Sequence, residues 1–175
     1  SIREQKNVTA SSFDLTSGRY ADVTSRITVT CATDGNHGRS VARGARRVGA
    51  KATIIVHERV SESRVSAIHE EGAAVVCVPG TYDDAVVEAA RLCAEHGWHL
   101  VSDTSWPGYE RVPRLVMQGY TAIAREIEAA LADPPTHVFL QAGVGGFAAA
   151  MAGYFACGYG DDAPVFGWWS PRFLV

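Results

Sequence analysis

A chain of 175 residues with 47% hydrophobic and 20% charged side chains is long enough for one substantial core and has an ordinary globular composition. Its formal net charge of -3 gives no electrostatic attraction to nucleic acid or to an anionic membrane. No apolar run approaches the roughly 20 residues that span a bilayer, and no basic-then-apolar leader opens the sequence, so a cytoplasmic location is expected.

The predicted elements alternate from Ile27 onward, after an N-terminal segment over 1–26. "ITVTCAT" (27–33) reads as a buried strand, and "HGRSVARGARRVG" has Val41, Ala45 and Val48 at helical spacing with Gly49 as its stop. "ATIIVH" (52–57) is a second strand, followed by a helix that Ser61 caps, and "AAVVCVP" (73–79) is a third. Thr81 then caps a helix with Asp83 and Asp84 in its first turn, where the helix dipole favours acids. "WHLVSD" (98–103) is a fourth strand, a long helix is predicted from about Pro113 to Leu131, and "THVFLQ" (136–141) is a fifth strand. The turn "AGVGG" leads into a last helix, "FAAAMAGYFAC".

Apolar strands alternating with helices predict an α/β fold with a mostly parallel sheet covered on both faces. Ligands of such sheets gather at the carboxyl ends of the strands, so Thr33 to Gly38, Asp103 to Tyr109 and Gln141 to Gly146 are the segments of interest. All three are expected at one edge. Cys31, Cys77, Cys93 and Cys157 lie far apart without metal-ligand spacing and read as buried, reduced thiols; no metal site is expected.

Each corner has a plain reading and a chemical one. Asp34, Asn36 and His37 could cap a helix, which accounts for one polar residue better than for three in a row. Gly143, Gly145 and Gly146 either allow close strand–helix packing or expose N–H groups that cradle a phosphate. The turn is neither a Walker sequence nor a dinucleotide fingerprint. Asp103, near Trp106 and Tyr109, either makes a turn before Pro107 or carries protons from an apolar setting. A phosphate cradle, an amide and two carboxylates together suit a phosphorylated aromatic cofactor better than three independent caps.

"TDGNHGR", "SDTSWPGYE", "VMQGY" and "THVFLQAGVGG" resemble, in order and at compatible spacing from about Phe13 to Gly167, the motifs of the diaminopropionate ammonia-lyases. These are pyridoxal-phosphate enzymes of fold type II, a group that also holds threonine dehydratase, serine racemase and cysteine synthase. The aspartate before the Gly-Asn pair separates the ammonia-lyases from relatives with Ser/Thr-Ser-Gly-Asn. The resemblance implies β-elimination of 2,3-diaminopropionate to pyruvate and ammonia, with pyridoxal phosphate as electron sink. It implies that Asn36 bonds the cofactor's ring hydroxyl and that the N–H groups of Gly143, Val144, Gly145 and Gly146 hold its phosphate. It assigns Asp34 to the α-proton of the D-isomer, Asp103 to substrate orientation or proton transfer, and His37 to their support. It also implies a small-molecule amino-acid substrate, a role in amino-acid catabolism and a homodimeric parent.

The sequence departs from the family at its lysines. The cofactor is held by a Schiff-base lysine, and this chain has only Lys6 and Lys51. Lys51 opens a strand, at the opposite end of the sheet from the three corners, and nothing around Lys6 aims it. The reading is therefore a fragment, inactive alone: a smaller α/β domain over 27–132, the start of the larger cofactor domain over 133–167, and an atypical tail over 168–175. The start at Ser1 rather than Met agrees with a piece of a longer polypeptide. Read one frame over, codons for the family's Gly-Val-Val-Glu-Pro yield Trp-Trp-Ser-Pro, so an out-of-frame end is expected from Trp168; the other reading is a genuine aromatic strand. Three rivals stand beside this account. One is a serine/threonine dehydratase-like enzyme, and another is a non-catalytic remnant that binds a phosphate ligand. The third is a nucleotide-binding module with Glu58 as its only ribose-gripping acid.

Overall fold

The computed structural model describes residues 10–169. Lys6 and the last part of the tail, 170–175, lie outside them. By contact the chain divides between Val101 and Ser102 into two compact units.

In the first unit two short helices, α1 (Ser12–Thr16) and α2 (Ala21–Thr24), precede four strands. These are β1 (Thr28–Ala32), β2 (Lys51–His57), β3 (Ala74–Val78) and β4 (His99–Leu100). They form a parallel sheet in the order β3-β2-β1-β4. Between them run α3 (Asn36–Arg47), α4 (Glu62–His69) and α5 (Tyr82–His96). Successive side chains of a strand point to opposite faces, and β2 shows the consequence. Ile54 and Val56 join Cys31, Ala42, Ala45 and Ile68 in one core cluster. Ile55, between them, joins Ala32, Ala85, Ala89 and Leu92 in another. The sheet is thus packed on both faces, as the apolar strands required.

The fourth strand is shorter than predicted. Val101 N–H donates to Thr30 O at 2.8 Å, but the next N–H, that of Ser102, donates to the Tyr109 hydroxyl at 2.9 Å. Ser102 N–H faces away from β1, since alternate residues of a strand face each neighbour, and the next acceptor on the β1 side, Val101 O, is taken by His37 Nε2 at 2.7 Å, so the chain leaves the sheet. The expectation of buried thiols holds for Cys31 only. Cys77 and Cys157 are exposed and Cys93 half-buried, all as free thiols. Cys77 is exposed because β3 is an edge strand.

In the second unit α6 (Arg111–Ala130) precedes β5 (His137–Gln141), α7 (Gly146–Tyr159), a 3-10 turn (Gly160–Asp162) and β6 (Val165–Trp169). β5 and β6 pair in parallel, with Leu140 opposite Trp168 and Gln141 opposite Trp169. The start of the atypical tail therefore has strand backbone. The core is Ala124, Leu140, Met151 and Phe155.

One polar cluster ties α6 to α7. Glu128 accepts from the Tyr154 hydroxyl at 2.6 Å and the Tyr159 hydroxyl at 2.8 Å. These two bonds hold the Glu128 carboxyl below its ordinary range and push both phenols up. A lowered carboxylate stabilises the fold above its unfolded value and loses that contribution as pH falls through the lowered one. A raised phenol contributes below its ordinary value and loses that contribution as pH rises through the raised one. The double variant Tyr154→Phe, Tyr159→Phe should flatten both limbs of a melting-temperature profile against pH. Superimposable wild-type and variant profiles would show that the cluster contributes nothing.

Candidate functional site

The β1–α3 corner uses its residues differently from a simple cap. Gly35 is the N-cap of α3 and makes no side-chain cap bond. The capping work falls to buried Thr33, whose Oγ1 accepts from Gly35 N–H and Gly38 N–H, both at 3.0 Å. Asp34 is left free of that duty. Its Oδ1 lies 2.9 Å from His57 Nε2, at the carboxyl end of the neighbouring strand β2, and its main-chain oxygen accepts from Arg64 Nη1 at 3.1 Å. Gly35 has φ 149°, and a Cβ there would come within 3.0 Å of Arg64 Cδ, so the corner requires glycine.

His37 Nε2 lies 2.7 Å from Val101 O. A carbonyl only accepts, so Nε2 carries the proton and donates. That bond fastens the start of α3 to the segment after β4. Asn36 is exposed beside an open cavity of about 370 Å³ lined by Asn36, Arg39, Ser40, Arg43 and Glu71. Glu71 is only 5% exposed, and three guanidinium groups surround it: Arg43 at 3.2 Å, Arg46 at 3.3 Å and Arg39 at 3.9 Å. A buried carboxylate among three cations is compensated, and the cavity wall keeps a positive excess.

In the second unit Asp103 and the glycine turn are neighbours. The nearest atom to a Cβ built on Gly146 would be Asp103 O at 3.6 Å, followed by Met117 Cγ at 3.7 Å. A Cβ on Gly143 or Gly145 would meet nothing within 4 Å, so close strand–helix packing is not what these glycines serve. Gly145 has φ 86° as the N-cap of α7. Among the described residues, no hydrogen bond runs from the N–H groups of Val144, Gly145 or Gly146. Donors without partners at the start of a 14-residue helix make an anion cradle.

Trp106 and Tyr109 stack on each other, with centroids 4.2 Å apart. Tyr120 on α6 is the ring that feels Asp103: burial, and then the Asp103 charge, push its hydroxyl up. The geometry thus gathers Asp34, Asn36, His37 and His57 in the first unit, and Asp103, Tyr120 and the 143–146 turn in the second. Sequence reading missed His57 and Glu71, and gave no role to Tyr120, the last residue of "VMQGY". Adjacent parallel strands end side by side, so a polar residue closing β2 was the available signal for His57. Lys51, as expected, is at the other end of the strand from His57. Six residue steps along β2 place their α-carbons about 20 Å apart.

The profile of the family described as "Pyridoxal-phosphate dependent enzyme" matches residues 6–171. Diaminopropionate ammonia-lyase of Salmonella typhimurium is 45% identical over 128 residues, which cover 71% of this chain and 32% of that protein. Its counterpart in Escherichia coli K12 is 40% identical over 132 residues, 74% of this chain and 33% of that protein. The chain spans about a third of the length of the curated relatives it matches. The apo crystal structure of the Escherichia coli enzyme superposes with a TM-score of 0.82 at 32% identity, over 97% of this chain and 46% of that one. Its complex with an aminoacrylate-PLP azomethine reaction intermediate gives 0.73 at 38% identity, over 80% of this chain and 37% of that one.

Proposed function

We propose, starting from a chain that belongs to the pyridoxal-phosphate dependent enzymes, that it is a segment of a fold-type-II lyase converting 2,3-diaminopropionate and water to pyruvate and two molecules of ammonia. The carrying observation is the 143–146 turn, where the N–H groups of Val144, Gly145 and Gly146 stand without partners among the described residues, as a phosphate monoester requires. The residues present fit the cofactor, since the open space over Gly143 and Gly145 leaves room for a phosphate to approach the backbone. Gly143, Val144, Gly145 and Gly146 would hold the phosphate, and Asn36 would bond the ring hydroxyl. When bound, pyridoxal phosphate supplies the electron sink that makes the α-proton of an amino acid removable.

The remaining roles belong to side chains. Asp34 takes the α-proton of the D-isomer, Asp103 orients the substrate or carries a proton, and His37 holds the start of α3 in place through Val101. The aspartate ahead of Gly35 and Asn36 supports an amine leaving group over a hydroxyl. In the working enzyme the segment is part of a cytoplasmic homodimer of amino-acid catabolism, and the smaller domain passes into the larger near 132–133. This chain alone is inactive, because Lys51 opens β2 and cannot serve as the tether.

Incubation with pyridoxal phosphate tests the cofactor assignment. The wild-type chain should bind it reversibly, lose it on dialysis, and carry no pyridoxyl group on Lys51 after borohydride. Gly145→Val should weaken binding at least tenfold, because a β-branched residue at positive φ is strained and its side chain covers the turn. Binding unaffected by that change would remove the cradle, and a borohydride-fixed lysine would overturn the inactivity. Joining this segment to the remainder of the Salmonella enzyme should give turnover of diaminopropionate faster than of serine or threonine; the reverse order would make the parent a dehydratase.

A further inference from the structure

We propose that His57 is the positioning residue for Asp34, an inference that rests on the acid–base role given to Asp34 above. Three contacts fix the arrangement. Arg59 N–H donates to His57 Nδ1 at 3.2 Å, so Nδ1 is the unprotonated nitrogen of a neutral ring. The proton is then on Nε2, which donates to Asp34 Oδ1 at 2.9 Å. Arg64 Nη1 secures the same residue from its other side, through the main-chain oxygen at 3.1 Å.

The burial of the two partners shows which one positions the other. The His57 side chain is 15% exposed and the Asp34 side chain 64% exposed, so the imidazole is the fixed member and the carboxylate the reachable one. An exposed aspartate on a glycine-flanked corner has several rotamers open to it. A hydrogen bond from a held imidazole selects one of them before substrate arrives, which is the preorganisation that proton transfer requires. Only Oδ1 is engaged among the described residues. Oδ2 is therefore the oxygen that receives the α-proton, while His57 keeps its own proton throughout. Donation from a backbone N–H to Nδ1 opposes a second proton on the ring, so His57 does not act as an acid in this step. It is a positioning residue rather than a catalytic one.

The tautomer is directly measurable. Long-range proton–nitrogen correlation spectra of the labelled 175-residue chain should show His57 neutral, protonated at Nε2, with an Nε2 proton that exchanges slowly. In Asp34→Ala that proton should exchange at least tenfold faster while the backbone amide spectrum keeps its dispersion. A His57 protonated at Nδ1, or an Nε2 proton that exchanges equally fast in both proteins, would overturn the proposal. At the level of reaction, in a full-length lyase carrying this segment, His57→Phe should lower kcat for D-2,3-diaminopropionate about tenfold with KM little changed. His57→Gln, whose amide can donate from a similar place, should recover most of the loss. Loss of kcat in His57→Phe without recovery in His57→Gln would mean that packing, not the hydrogen bond, is at work, and would overturn the proposal. A paired Nε2 proton in a lyase whose D-isomer turnover ignores Asp34→Asn would instead remove the role of Asp34, leaving the pair intact but without a reaction to serve.

Discussion

Gly38→Val should unfold the first unit. A Cβ at Gly38 would lie 2.4 Å from Thr33 Cγ2 and 2.8 Å from Ile54 Cγ2, both on buried residues. Ile54 is held in the central strand β2 and is fully buried, so it cannot withdraw. Thr33 cannot rotate away without releasing the Gly35 and Gly38 N–H groups that its Oγ1 satisfies. Overpacking and lost capping therefore add, at roughly 1–3 kcal/mol for the first and about 1 kcal/mol for the second. Even alanine should destabilise here, because its helix advantage of about 1 kcal/mol over glycine is smaller than the strain. Gly44 is the internal control. It is in the same helix with nothing within 4 Å of its Cβ position, so Gly44→Ala should stabilise by about 0.5–1 kcal/mol. Urea titrations followed by circular dichroism measure all three. A Gly38→Ala variant as stable as Gly44→Ala would mean that the contact at the head of α3 is not tight.

Phe155→Ala should do comparable damage to the second unit. Phe155 is completely buried and meets Tyr154 edge-on, with Tyr159 and Phe166 tilted against it at centroid distances of 5.9 and 6.4 Å. Removing a buried phenyl costs about 3–5 kcal/mol through lost transfer energy and the cavity left behind. The core cluster around Phe155 has three other buried members, Ala124, Leu140 and Met151, so little remains to close that cavity. Leu115→Ala on α6, where the leucine is 55% exposed, should stay within about 0.5 kcal/mol. Native-state hydrogen exchange should show the loss in β5 and α7. Unchanged protection there would mean that the packing around Phe155 is already loose.

The strands and helices were readable because their signals are local. Val, Ile and Cys in short runs, a Thr-x-x-Asp box before α5 and glycines at helix ends act within a few residues, and those elements stand close to where they were expected. The glycine turn before α7 and the corner before α3 were readable for the same reason. What each polar residue does there was not. Asp34 and Asn36 had capping as a competing local use, and buried Thr33, one residue earlier, took it instead. Tyr120, which feels the Asp103 charge, was not readable beside it because it comes from a helix that begins further along. β4 ended early because His37, 64 residues back in the chain, takes Val101 O, the acceptor that a longer ladder would have used.

From the order of its residues alone this protein has a parallel α/β sheet, two glycine-bearing corners after apolar strands, and the motifs of a pyridoxal-phosphate family. Those follow from periodicity, turn chemistry and short motifs, all of which act over a few neighbours in the chain. The partner of each side chain was decided in three dimensions. His57 reaches Asp34 only because β1 and β2 run side by side in parallel and end together, and Glu71 meets its arginines only because α3 packs beside the end of α4. Contacts between residues 23 or 28 positions apart depend on strand register and helix packing, and a linear sequence displays neither.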